Sequence, residues 1–341
     1  MKSFKIVVLF FVFITILIIV NFFFLQKINN SNENGTTVTK SKNVSKNSVS
    51  NDQMKENVEL SAEISKIIEK LYPKPAEISF AVIDLNSKTP EIAGLNLDQF
   101  IYSASLYKVF IAAEILRKVD LGLLKLSDIF EVKYPNVVNK DINELPKSTI
   151  KDEGPLLKVG DKVTIDRLLE LMFTRSEDNA ANVLIDIADR DDINKYIIAD
   201  NGWQGSDVTR KYLIVPREVE KYQTLPQTVS NARHMAEVFY KIENDKLINK
   251  WVSEKLKIYM HEWNRAGRIG LYIPEFVDYY RKAGWLEESS GYWSHDVGVV
   301  IGQHSHYVVA LLSLTYSAKP VVRFPLETLS REIYKLMESK S

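Results

Sequence analysis

The chain has 341 residues, 45% hydrophobic and 26% charged, which is ordinary for a globular protein and long enough to bury a sizeable core without crosslinks. Its 44 basic and 44 acidic residues cancel, which argues against nucleic acid as a partner, since that needs a basic surface. Cysteine is absent, so disulfides, thiolate metal sites, a cysteine nucleophile and a lipid-modified N-terminal cysteine are excluded.

Residues 6–26, IVVLFFVFITILIIVNFFFLQ, are almost wholly apolar. As a helix they would span about 31 Å, enough for a bilayer core. Lys2 and Lys5 precede the run, which favours a cytoplasmic N-terminus, although Lys27 follows at once. The run is long and no A-x-A-like cleavage site follows it, so an uncleaved membrane anchor over 1–27 is preferred to a cleaved signal peptide. Residues 28–57 are rich in Asn, Ser, Lys, Thr and Val and read as a disordered tether. The folded part is expected over 58–341.

Within it, apolar spacing predicts a helix over 59–72, stopped by Pro73. ISFAVIDLNS (78–87) reads as a strand and EIAGLN (91–96) as its hairpin partner. ASLYKVFIAAEILRK (104–118) predicts a buried helix. Helices follow at 163–173, with Thr164 as N-cap, and at 179–189 and 229–244. The period then changes: 278–286, 294–302 and 305–315 read as strands, the last a near-continuous apolar run suited to a central strand. A helix over 325–338 closes the chain. Strands at both ends with helices between them predict an α+β fold with three layers, α/β/α. An antiparallel sheet carries the terminal helices, and a helical subdomain over roughly 104–265 is inserted. A site would lie between the two parts.

Three short segments carry the chemistry. In Ser105-Leu106-Tyr107-Lys108, three-residue spacing on a helix puts hydroxyl and amine on one face. A serine hydroxyl attacks well only when a base takes its proton, and a desolvated lysine can be that base. The pattern is common by chance, but here apolar residues surround the lysine, and a buried lysine needs a reason. Ser176-Glu177-Asp178 sits between two helices, where it either projects into a cleft or merely caps a helix. Lys282-Ala283-Gly284-Trp285 lies on a strand; the lysine either faces a cleft, where it could hold an anion, or is an exposed edge residue, and Gly284 permits close backbone approach.

In this order and spacing the segments resemble S-x-x-K, S-D-N and K-T-G of the penicillin-recognising serine hydrolases, in particular the class A β-lactamase-like branch. The likeness extends over about 59–338 and includes FAVIDLNS, SASLYKV, VTIDRLLELMFTRSEDNAAN, RKAGW and DVGVVIG. It implies that Ser105 is the nucleophile, Lys108 its activating base, Ser176 a proton relay toward the leaving nitrogen, and Lys282 the cation that supports the relay and attracts a substrate carboxylate. It further implies that the N–H groups of Ser105 and Trp285 form an oxyanion hole, with Asp178, Ala283, Gly284 and Trp285 against the substrate. The implied substrate is a β-lactam or a peptidoglycan stem peptide. No cofactor and no metal are called for, and a monomer is expected.

Three positions depart from the pattern. Asp178 replaces an amide; its carboxylate can pair with Lys108 but cannot donate to a substrate carbonyl. Ala283 replaces a hydroxyl residue that would bind the substrate carboxylate. In the loop after Trp203, Val215, next to Pro216, falls where class A enzymes carry the glutamate that activates water for deacylation, with Glu218 and Glu220 nearby. These departures leave open a D-alanyl-D-alanine carboxypeptidase or penicillin-binding-type protein with slow deacylation, an esterase, or a non-catalytic sensor. His304 and His306 alternate on the expected strand but lack a third zinc ligand and read as ordinary histidines. Trp251, Trp263, Trp285 and Trp293 either line the cleft or fill the core, the core being the default.

Overall fold

The computed structural model describes residues 54–72, 76–133, 157–208, 228–261, 273–274, 276–288, 291–316 and 323–340. The expected anchor, most of the expected tether, Trp263, Val215, Pro216, Glu218 and Glu220 lie outside the described residues. Among the described residues no helix is long and apolar enough to cross a membrane.

Helix α1 (Val58–Leu71) is capped by Asn57, whose side chain accepts from Leu60 N at 2.9 Å. Strands β1 (Ala76–Asp84) and β2 (Ile92–Leu95) form the expected hairpin, Phe80 opposite Leu95. Three long strands precede the C-terminal helix: β7 (Asp278–Glu288), β8 (Gly291–Ile301) and β9 (His306–Thr315). The sheet order is β2-β1-β9-β8-β7, antiparallel throughout. The apolar run around 306–315 is therefore the central strand. Its pairing with β1, from Ala76 opposite Thr315 to Asp84 opposite Tyr307, joins the two ends of the folded part.

Because side chains alternate across a strand, the sheet feeds two cores. Ile78, Phe80 and Val82 of β1, with Tyr307, Val309 and Leu311 of β9, face α1 and the C-terminal helix, Arg323–Lys340. Ala81 and Ile83, with Val308, Ala310 and Leu312, face the other way, into the helical part.

That part centres on α2 (Lys108–Asp120), whose residues from Lys108 to Leu116 are all buried. Around it lie α3 (Ile165–Thr174), α4 (Asp178–Ala188) and α6 (Lys250–His261); α5 (Ala232–Glu243), although within 104–265, packs on β1, β8 and β9. The C-terminal helix is α7. Thr164 caps α3, accepting from Arg167 N at 3.2 Å.

Several boundaries differ from expectation. Residues 162–164 form β5, paired with β4 (Ile129–Glu131), before α3 begins. Residues 229–230 form β6, paired with β3 (Ile101–Tyr102), and α5 starts only after the cap Asn231. Neither α6 nor the irregular helical run 190–201 was expected; α6 mixes lysines with apolar residues and its periodicity is weak. His304 is an exposed turn residue rather than a strand neighbour of His306, which instead sits 3.0 Å from Glu243.

Candidate active site

The nucleophile candidate lies in a tight turn rather than inside a regular α-helix. Residues Ala104–Tyr107 form a 3-10 turn that runs into α2. Ala104 enters it at φ +44°, a left-handed conformation that strains any residue with a Cβ. The turn is held from two sides. Ser103 N–H donates to Thr228 O at 3.0 Å, beside the β3–β6 pair. On the other side β7 presses against it at Gly284: a Cβ there would lie 2.9 Å from Ser105 N and 3.1 Å from Ala104 Cβ. Glycine is what lets strand and turn approach this closely. Ser105 itself remains half-buried.

One turn on, Lys108 is fully buried, and its amine has three hydrogen-bond contacts. Its Nζ donates to Asp178 Oδ1 at 2.6 Å, to Ser176 O at 2.6 Å and to Ser176 Oγ at 3.2 Å. Ser176 is a second left-handed residue, at φ +52°, set at the α3–α4 corner. Its hydroxyl also accepts from Lys282 Nζ at 3.0 Å, and Lys282 donates in addition to Ala283 O at 2.8 Å. Ser176 Oγ thus bridges two buried lysines that are 174 positions apart in the chain.

Neither bland alternative holds for these residues. Lys282 lies on the edge strand β7, yet is only 4% exposed. Burial, then the neighbouring Lys108 and Arg281, hold its amine well below the usual lysine range, with Asp178 and Asp296 opposing. Glu177 occupies the N-cap position of α4 but makes no capping bond; its Oε1 accepts Leu157 N–H at 2.8 Å. Burial pushes the Glu177 carboxyl up, against that hydrogen bond and the nearby Arg175 and Lys108.

Charge pairing leaves one group over. Lys108 is matched by Asp178, and Arg281 by Asp296 at 2.8 Å. Lys282 has hydroxyl and carbonyl partners only among these contacts. A buried amine in this position is poised either to take a proton or to meet an incoming anion.

The structure therefore brings Ser105, Lys108, Ser176, Asp178, Lys282 and Gly284 into one cluster. Ala283 lends its carbonyl to Lys282, and Trp285 is 50% exposed at the rim. Trp293 is buried edge-on to Tyr102, and Trp251 is partly buried against the helical core. Two contributors were not legible in the sequence: the Arg281–Asp296 pair flanking Lys282, and His295, opposite Gly284 in the β7–β8 register. The charge of Arg281 beside Lys282 was the available signal for the first; nothing marked the second.

The profile of the beta-lactamase enzyme family matches residues 59–337. The chain belongs to that family. It is accordingly a β-lactamase-like serine hydrolase, as the motif resemblance implied. No curated protein matches it significantly in sequence. Among solved structures, the beta-lactamase from Sphaerobacter thermophilus is similar at 18% identity and TM-score 0.64, covering 81% of this chain and 97% of that one. The beta-lactamase from Chitinophaga pinensis gives 15% identity, TM-score 0.63, and coverage of 82% and 99%. A mutant of PBP-A, solved as an acyl-enzyme complex with penicillin G, gives 17%, 0.65, 82% and 97%. At these identities the structural likeness shows the fold.

Proposed function

We propose that this β-lactamase-like hydrolase works through an acyl-enzyme on Ser105, with a β-lactam amide as substrate. The hydroxyl of Ser176 shared between buried Lys108 and Lys282, one turn from Ser105, carries the reading. Ser105 Oγ attacks the carbonyl carbon as the neutral Lys108 amine takes its proton, and Lys108 in turn donates to Ser176 Oγ. The C–N bond breaks, the nitrogen receives a proton from Ser176 Oγ, and an ester remains on Ser105. Ser105 N–H, held beside Gly284, and Trp285 N–H stabilise the oxyanion. The substrate carboxylate meets Lys282, the lysine that no carboxylate of the cluster matches. The penicillin acyl-enzyme of PBP-A, on the same fold, supports this chemistry.

A second reading is favoured by Asp178. Its carboxylate is held 2.6 Å from Lys108 where an amide would face the substrate. With Ala283 in the third motif, this points to a slow acyl acceptor, of the penicillin-binding or D-alanyl-D-alanine carboxypeptidase type, or to a sensor. The domain over 58–341 would work outside the cell as a monomer, tethered by 28–57 to an anchor helix over 1–27.

Incubation with a fluorescent penicillin followed by mass spectrometry tests the proposal. A single adduct on Ser105, absent from Ser105→Ala, is the expected result. An unlabelled chain at high probe concentration would overturn it. Multiple turnover of a chromogenic cephalosporin would select the β-lactamase reading over the slow acceptor.

A further inference from the structure

His295 is fully buried at the middle of β8 and has no part in the proton path above. Its ring spans two elements. Nδ1 lies 3.1 Å from Ser313 N, whose N–H on the central strand β9 donates to it. A ring nitrogen that accepts from a backbone N–H carries no proton, so the neutral ring has its hydrogen on Nε2. Nε2 lies 2.8 Å from the carbonyl oxygen of Tyr102, an acceptor, and so donates to it. Ser313 thereby decides which way the imidazole can bond, and the sheet reaches across to β3.

Tyr102 immediately precedes the Ser103–Ala104–Ser105 turn. Opposite His295 in register is Gly284, the residue against which Ser105 N rests. Strand β7 and the imidazole thus approach the same turn from neighbouring points of one sheet. We propose that His295 is a positioning residue: through Tyr102 O it sets where the strained Ala104 turn sits, and hence where Ser105 N–H points. The role rests on the acyl-transfer reading of Ser105.

Asparagine and glutamine separate the two bonds of the ring. A glutamine amide reaches about as far as Nε2 and can keep the donor to Tyr102; an asparagine amide oxygen lies near Nδ1 and keeps only the acceptor for Ser313. Acylation by benzylpenicillin is measured for the parent, His295→Gln and His295→Asn, resolving the acylation rate constant from the half-saturation concentration. Backbone hydrogen exchange of the 101–106 segment is followed in parallel. His295→Asn should lose roughly ten- to a hundredfold in the rate constant at unchanged half-saturation, because a displaced oxyanion donor acts on the transition state. Its 101–106 amides should exchange faster. His295→Gln should stay within about threefold of the parent in both readouts. Equal loss in both variants, no loss in either, or a change confined to half-saturation would overturn the proposal. A parent chain that takes no acyl group would overturn the acyl-transfer reading instead, and unchanged exchange in His295→Asn would then separately refute the positioning of the turn by His295.

Discussion

On the outer face of the sheet, Ile64 and Ile68 of α1 and Leu329 and Ile333 of α7 close over Phe80, Val82 and Leu311. On the inner side, Lys108 and Lys282 are buried almost as deeply as those apolar residues. Both regions lack solvent, but their energetics oppose. Each apolar side chain on the outer face gains roughly 1.5–3 kcal/mol from burial. A buried cation loses several kcal/mol of hydration, recovered only where geometry supplies partners. The contrast teaches that the inner cluster is not there for stability. Its left-handed Ala104 and Ser176 add strain, of order 1–3 kcal/mol each, that the outer core must offset.

The sharpest way to test that division is to remove the reacting atom. Ser105→Ala should cut acylation by at least about a thousandfold while leaving the melting temperature nearly unchanged. Mass spectrometry and a thermal scan on the same sample check both halves. The reverse experiment is Phe80→Ala, which empties part of the outer core. It should cost about 3–5 kcal/mol in denaturant unfolding, yet leave the acylation rate per folded molecule as it was. A parallel loss of rate would mean that the two faces are coupled.

Gly284→Ala probes the close approach of β7. Its Cβ would meet Ser105 N at 2.9 Å, so the turn or the strand must shift. About a hundredfold slower acylation is expected, since misplacing a reacting group by about 1 Å costs that much. Lys282→Met should do opposite things to function and stability. It abolishes the bridge to Ser176 and so acylation, but should raise stability by about 1–3 kcal/mol. The pH dependence follows from the depressed amine. Between its folded-state value and the ordinary lysine value, the unfolded chain binds a proton that the folded chain does not. Parent stability therefore rises with pH across that window, and the rise should be smaller in Lys282→Met; urea titrations across mildly alkaline pH measure it. The smallest effect is Thr164→Ala, the cap of α3, at about 1 kcal/mol with no change in acylation.

Much of this molecule was legible before folding. The β-branched and aromatic run at 78–87, the near-continuous apolar run at 305–315 and the helical spacing of 59–72 predicted strands and a terminal helix, because each is a local pattern with a local cause; the three motif segments named the cluster members through their resemblance to a known family. Short strands such as 101–102 with 229–230 were not legible: two residues carry no period, and only the distant partner makes them strands. Nor was the fate of Asp178, equally able to cap a helix or to pair with a lysine until α2 and α4 are packed together. The order of residues along the chain was enough to single out Ser105, Lys108, Ser176 and Lys282 as one set of motif positions. Only the packed chain places Ser176 between two lysines, leaves Lys282 with hydroxyl and carbonyl partners among the described contacts, and sets a buried histidine 2.8 Å from Tyr102 O, just before the Ser105 turn. Those are contacts between residues tens to hundreds of positions apart, and burial, which gives each its strength, exists only once the chain has closed on itself.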